Sequence, residues 1–250
     1  MKVLGVIPAR YASTRFPGKP LADIHGKSMI ERVYTQALAA RRLDAVVVAT
    51  DDPRIFAHVT AFGGAVQMTS PDHPTGTDRI LEIAATEDTY AAYINIQGDE
   101  PYIAPEQIDQ VAELLAEGPE AFVATLAKKL TDPSEIHDPN LIKVTFARDG
   151  RALYFSRSPI PYLRDAGQLE AFQQRHGYYK HIGIYGYTAR ALREIEQMPR
   201  GALEQAESLE QLRWLESGLP IYVGRTEYET QAVDTPEDLE KLRQWMSPER

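Results

Sequence analysis

The 250-residue chain contains no cysteine, which excludes a disulfide scaffold, a thiolate zinc site, an iron–sulfur centre and a cysteine nucleophile. An intracellular address fits that absence. No long hydrophobic run opens the chain: Val3-Leu4-Gly5-Val6-Ile7 meets Pro8 and Arg10, too soon for a signal-peptide core or a membrane span. The run reads as a first strand. Positive charge is in deficit, with 27 Lys and Arg against 36 Asp and Glu and a net charge of -9. That argues against a broad nucleic-acid-binding surface and leaves local basic clusters. Internal repeats and low-complexity linkers are also missing. So is any G-x-G-x-x-G, and the Gly26-Lys27-Ser28 ending of a phosphate loop has Leu21 where its first glycine belongs. Dehydrogenase and P-loop readings therefore lose weight.

At 43% hydrophobic and 25% charged residues, the composition is that of a globular domain and excludes disorder. Strand-like runs at Val3 to Ile7, Ala45 to Ala49, Tyr93 to Gln97 and Phe122 to Leu126 alternate with amphipathic segments. Such alternation predicts an α/β fold with a mostly parallel sheet. Ser28 with Glu31 has capping-box spacing ahead of a helical pattern, and Pro105 opens another helix. From Thr131 the texture changes: Val144 to Phe146 and Ala152 to Phe155 flank a turn at Asp149-Gly150, predicting an antiparallel hairpin. The expected organisation is one domain over 1–250, with a hairpin-containing subregion at about 131–187 inserted as a lid or a subunit contact.

The loop from Pro8 to Pro20 lies between a strand and a helix, where open α/β sheets bind ligands. It carries Arg10, Arg15 and Lys19. Arginine forks and a lysine point charge suit a chain of phosphates, with Ser13 and Thr14 adding hydroxyl donors. The alternative is a solvated basic loop, but 13 residues is long for such a connection. In Gln97-Gly98-Asp99-Glu100-Pro101, Asp99 emerges at a strand's carboxyl end beside a glycine turn. A carboxylate there suits Mg²⁺, or satisfies local backbone donors; Glu100 is the weaker ligand candidate. Thr235, Pro236 and Asp238 make a helix start that leaves Asp234 without a capping role. Meeting Asp99, it would complete a divalent-cation site.

The turn from Pro74 to Arg79 offers hydroxyls and free N–H groups to a nucleobase or sugar oxygen, or else ordinary capping by Thr77. Arg157 and Arg164 could fork onto a substrate carboxylate or form surface ion pairs. His181 opens a strand, where a lone histidine has a structural role more often than a chemical one. Glu207 and Gln211, four apart on an expected helix, share a face that could read substrate hydroxyls or simply be solvated.

Taken in order, VIPARYASTRFPGKPL, VVVATDD, PTGTDRI, INIQGDEP, LYFSRSPIP, KHIGIYGY, LEQLRWLESG and VDTPEDLEKL resemble the 3-deoxy-manno-octulosonate cytidylyltransferases over nearly the whole chain. The resemblance implies a Rossmann-like nucleotidyltransferase sheet and transfer of CMP from CTP to the anomeric hydroxyl of 3-deoxy-D-manno-octulosonate (KDO). Pyrophosphate leaves, and the activated sugar serves lipopolysaccharide synthesis. It also implies Mg²⁺ and a cytoplasmic homodimer, while the charge balance and the short opening run predict no nucleic-acid partner and no membrane insertion. Carried onto this chain, Arg10, Arg15 and Lys19 would hold the triphosphate, and Ala9, Thr77 and Gln97 the cytidine portion. Asp99 and Asp234 would bind the metal. Arg157 or Arg164 would take the KDO carboxylate, with Arg79, Gln97, His181, Glu207 and Gln211 in the same pocket. Arg10, Lys19, Asp99 and Asp234 would be the catalytic set, since displacement at phosphorus depends on alignment and charge neutralisation. The stretch from Ala166 to Gly177 is the least family-like. A cytidylyltransferase for another acidic sugar such as sialic acid, and a non-catalytic nucleotide-sugar-binding module, are the competing readings.

Overall fold

The first strand, β1 (Val3–Ala9), buries Val3, Leu4, Gly5, Val6 and Ile7 without interruption, the pattern of a parallel strand covered on both faces. A computed structural model describes residues 1–12, 15–87, 89–118, 122–165 and 169–245. Ser13, Thr14 and residues 166–168 lie outside them. The chain divides into two units, one of Met1–Glu113 with the segment from Thr230 onward, the other Leu114–Glu229.

In the first unit β1 is followed by a two-strand ribbon, β2 (Asp23–Ile24) and β3 (Lys27–Ser28). Then come α1 (Met29–Ala39), β4 (Ala45–Thr50), α2 (Pro53–Ala61), β5 (Val66–Met68), α3 (Gly76–Thr86), β6 (Ala92–Asn95) and α4 (Pro105–Glu117), in which the unit boundary falls. β1 pairs in parallel with β4 and with β6, and β4 with β5. The chain thus begins inside the sheet, moves outward to β5, and returns to lay β6 on the other side of β1. Strand order reverses around β1, and the carboxyl ends at such a reversal open a ligand crevice.

Helix starts are set locally. Ser28 Oγ accepts the Glu31 N–H at 3.2 Å, and Asp52 Oδ1 accepts the Arg54 N–H at 2.9 Å. At α3 the cap is Thr75, not Thr77: Thr75 Oγ1 accepts from the Asp78 N–H while Asp78 Oδ2 accepts from the Thr75 N–H. The reciprocal pair fixes the helix start two residues earlier and leaves Thr77 buried in the first turn.

The second unit holds β7 (Val123–Lys129), β8 (Lys143–Phe146), β9 (Ala152–Ser156), α5 (Leu169–Arg175), β10 (Tyr179–Thr188), α6 (Ala189–Glu196), α7 (Ala202–Glu207), α8 (Gln211–Glu216) and β11 (Ile221–Arg225). β11 runs parallel to β7; β10 runs antiparallel to β7 and to β8. The expected α/β class and hairpin are both present, with β8 and β9 antiparallel around Gly150 at φ +86°. Strand β10 begins at Tyr179, two residues before His181. Helix α5, unexpected from its polar sequence, has an apolar stripe: Leu169 and Phe172 pack on buried Leu130, Ile136 and Tyr178.

The last helix, α9 (Pro236–Trp245), returns to the first unit. Its Leu239 and Leu242 are buried with Val233, Ile24 and Met29, and Phe16 and Tyr102 pack against them. This cluster anchors the segment just ahead of the helix, where Asp234 lies.

Candidate active site

Two loops leave the carboxyl ends of adjacent strands β1 and β6 in the first unit, and Gly98 lets them approach. A Cβ there would stand 2.6 Å from the Pro8 carbonyl oxygen, so only glycine fits. Asp99 follows directly. Its backbone carbonyl accepts the Val233 N–H at 2.9 Å, and Thr230 Oγ1 donates to Glu100 Oε2 at 2.5 Å. The segment 230–234 is therefore stitched to 99–100, which places Asp234 beside Asp99.

Lys19 occupies the junction. Its Nζ donates to Asp99 Oδ2 at 2.8 Å and to the Val233 carbonyl at 2.9 Å, and lies 3.6 Å from Asp234 Oδ1. Arg15 Nη2 reaches the same Asp234 oxygen at 3.5 Å. One ammonium thus sits within ion-pairing distance of both carboxylates, which shows that the pair can share a single cation. Carboxylate oxygens of this kind are the donors Mg²⁺ takes. The residues present therefore fit that ion. Burial pushes the Glu100 carboxyl up to about 7, against the Thr230 hydrogen bond and with Asp99's charge adding to the rise; a group so readily protonated is a poorer cation ligand than Asp99.

Arg10 Nη2 donates to the Pro74 carbonyl at 2.6 Å, joining the first loop to the turn before α3. Ala9 ends β1, buried, and Thr77 is buried in α3; Gln97 follows β6 and is partly exposed. Arg79 is wholly buried. Its Nη2 pairs with Asp51 at 2.5 Å, and its Nη1 donates to Thr69 Oγ1 at 2.6 Å and to the Ser70 carbonyl at 3.2 Å. That guanidinium fastens α3 to the ends of β4 and β5.

A second cluster forms within the second unit around Glu207. Ser156 Oγ donates to Glu207 Oε1 at 2.6 Å and the Arg157 N–H to Oε2 at 2.9 Å; Arg157 Nε donates to the Glu207 carbonyl at 2.7 Å. Arg157 Nη1 also bonds the Pro139 carbonyl at 3.0 Å. Glu207 and Gln211 do not share one helix: Ser208 takes φ +52°, the left-handed conformation that ends α7, and Gln211 opens α8. Gln211 is buried, and Arg164 is exposed.

Opposite β7, strand β10 shifts register between Ile182 and Tyr185, a bulge that re-aims its side chains. Thr125 Oγ1 donates to the Ile184 carbonyl at 2.7 Å and lies 2.9 Å from His181 Nε2. With the hydroxyl proton used on the carbonyl, Nε2 carries the imidazole proton and Nδ1 is left as an acceptor. The ring meets Phe155 edge-on at 5.2 Å and Tyr185 at 5.1 Å. Burial pushes its pKa down to about 3, so the imidazole is neutral near pH 7. The same enclosure raises the Tyr185 hydroxyl well above its usual value.

Sequence reasoning missed Val233 and Pro74, whose carbonyls carry no side-chain signal, and the supporting Thr125, Ser156, Thr230 and Asp51. Asp51, Pro74, Ser156 and Val233 lie in runs that carry the family resemblance, whereas Thr125 and Thr230 lie in none.

A cytidylyltransferase family profile matches residues 4–226. The 3-deoxy-manno-octulosonate cytidylyltransferase of Parabacteroides distasonis is 53% identical over 96% of this chain and 96% of its own. That of Cytophaga hutchinsonii is 49% identical over 96% and 95%. Among solved structures, CMP:2-keto-3-deoxy-manno-octonic acid synthetase complexed with CTP superposes with a TM-score of 0.92 at 44% identity, covering all of both chains.

Proposed function

The chain belongs to the cytidylyltransferase family, among the 3-deoxy-manno-octulosonate cytidylyltransferases, and from that premise we propose how its residues divide the work. The protein transfers CMP from CTP to the anomeric hydroxyl of KDO, releasing pyrophosphate and giving CMP-KDO, the activated sugar for lipopolysaccharide. The observation that carries the assignment of roles is Lys19 held between Asp99 and Asp234 at a strand's carboxyl end.

In the first unit Arg10, Arg15 and Lys19 take the triphosphate, and Ala9, Thr77 and Gln97 the cytidine portion. Arg10's bond to the Pro74 carbonyl keeps its guanidinium beside the turn that leads to Thr77. Asp99 and Asp234 would hold Mg²⁺, which supplies Lewis-acid polarisation of phosphoryl and hydroxyl oxygens when bound. Lys19, released from the carboxylates, turns to the phosphates, where a compact positive charge stabilises the leaving pyrophosphate. Arg79, through Asp51 and Thr69, sets the approach to α3 rather than presenting a free fork.

In the second unit Arg157 or Arg164 binds the KDO carboxylate, and Glu207, Gln211 and His181 read its hydroxyls. Arg157 is already aligned by Glu207 and Pro139, which lowers the ordering cost on binding. A neutral His181 serves as a hydrogen-bonding group and not as a cation. The family match over residues 4–226 spans both units, which supports reading them as one nucleotidyltransferase domain over 1–250; the hairpin subregion would serve that domain as lid or dimer contact. A cytoplasmic homodimer is part of the same reading; among the described residues no helix is long and apolar enough to cross a membrane.

The test is pyrophosphate release from CTP and Mg²⁺ with KDO, with sialic acid, and with neither. Release that requires KDO is expected. Release only with sialic acid would move the acceptor, and CTP binding without release would leave a binding module.

A further inference from the structure

The long cation loop is closed at its base by a pair of residues that lie one step inside Arg10 and Lys19. The Tyr11 carbonyl accepts the Gly18 N–H at 2.9 Å. The Tyr11 ring covers Gly18: a Cβ on that glycine, which holds φ +74°, would come within 3.1 Å of Tyr11 Cζ. Closure at 11 and 18 thereby ties together the backbone positions next to Arg10 and Lys19.

A second residue presses on the same ring. Arg54 Cζ lies 3.3 Å from the ring centroid, and its Nε and Nη2 fork onto Asp52 at 2.9 and 2.7 Å. Asp52 is itself the N-cap of α2. A guanidinium held flat by a carboxylate fork presents its π-face to an aromatic ring, a contact lysine reproduces only in part. The chain of contacts runs from a helix terminus through Asp52, Arg54 and Tyr11 to Gly18.

We infer that Asp52, Arg54 and Tyr11 are positioning residues for the transfer reaction: they clamp the cation loop to the start of α2 and hold Arg10 and Lys19 at the spacing the triphosphate needs. The inference rests on the reading of this loop as the triphosphate site. Ends of the loop already held together at Tyr11 and Gly18 lower the ordering cost of binding CTP, so the clamp acts on CTP affinity and leaves the chemical step nearly untouched.

Arg54→Ala is the direct test, because the residue is largely exposed and the backbone N–H that Asp52 caps survives the substitution. An exposed cation–π contact corresponds to about 2- to 5-fold in an equilibrium, so KM for CTP and its calorimetric Kd should rise by about that factor. Turnover and KM for KDO should stay within about twofold, and Arg54→Lys should recover part of the loss. Tyr11→Leu should weaken CTP binding further, and adding Arg54→Ala to it should change nothing more. Unchanged CTP affinity in Arg54→Ala, a fall confined to turnover, or a full Arg54 effect persisting in Tyr11→Leu would each overturn the clamp. The unsubstituted enzyme separates the two levels: no KDO-dependent pyrophosphate release from it would sink the functional reading, whereas calorimetry of CTP with each variant still decides the clamp.

Discussion

Replacing Lys19, whose side chain is 16% exposed, by Met removes the ammonium and keeps most of the stem. Asp99 and Asp234 then lose their shared counter-charge, and Arg15 stays on Asp234 alone. Oxygens 2.8 and 3.6 Å from one Nζ lie no more than about 6 Å apart, and at that separation two unit charges repel by about 3 kcal/mol at an effective dielectric of ~20. Asp234 is 47% exposed, and solvent screening brings the repulsion to about 1 kcal/mol. Loss of the charged hydrogen bonds to Asp99 and to the Val233 carbonyl adds about 1–2 kcal/mol. The expected destabilisation is about 2–3 kcal/mol, or roughly 4–12 °C in Tm for a chain of this size. Millimolar Mg²⁺ should restore a larger share of it in Lys19→Met than it adds to the unsubstituted protein, because there the ammonium, with Arg15 on Asp234, already offsets the charge of the pair. Calorimetric melts with MgCl₂ and with NaCl at equal ionic strength separate specific occupancy from screening. Pyrophosphate release should fall on the order of 10²-fold or more, since a preorganised charge at the leaving group is gone. A variant that melts unchanged, ignores Mg²⁺ and turns over normally would refute both the shared-cation geometry and the phosphate role.

Asp99→Asn keeps the shape and removes one charge, and Lys19 retains Asp234 and the Val233 carbonyl; KDO-dependent pyrophosphate release should drop about 10²-fold or more while Tm moves less than in Lys19→Met. Glu207→Gln leaves Ser156 Oγ and the Arg157 N–H one strong acceptor short, so steady-state kinetics should show KM for KDO raised about tenfold, with KM for CTP unchanged. For His181 the folded pKa of about 3 lies below the unfolded value near 6.5. Its neutral form therefore contributes stability that is present above pH 6.5 and is lost as pH falls toward 3, by at most ~1.4 kcal/mol per pH unit. Urea unfolding of the parent and of His181→Gln between pH 7 and 4.5 should give a shallower acid loss in the variant.

What the sequence disclosed and what it withheld separate by range. Capping at Ser28 and Thr235, the hairpin around Gly150 and the strand runs depend on neighbours within a few residues, and all are found. Capping by Thr77 and the shared Glu207–Gln211 helix face failed for the same local reason: Asp78 reciprocates with Thr75, and Ser208 breaks the helix in a conformation its residue type does not announce. Helix α5 was missed because its apolar residues, Leu169 and Phe172, make sense only against Leu130, Ile136 and Tyr178.

The meeting of Asp99 with Asp234 belongs to a different scale. Lys19 is 80 residues from Asp99 and 214 from Val233, and no periodicity spans such distances. Three independent anchors bring them together: the Gly98 approach to Pro8, the Val233 N–H on the Asp99 carbonyl, and the burial of Val233, Leu239 and Leu242 with Ile24 and Met29. The third is apolar and the second is backbone, so neither leaves a chemical mark on the side chains that do the work. An enlarged side chain at Val233 should therefore impair the site without touching a charged group: Val233→Phe overpacks a fully buried position, costing about 1–3 kcal/mol, and displaces the carbonyl that holds Lys19. Mg²⁺-dependent pyrophosphate release should fall more than tenfold in the fraction that remains folded by circular dichroism. Full activity in that folded fraction would mean that the carboxylate pair is positioned by something other than the returning segment.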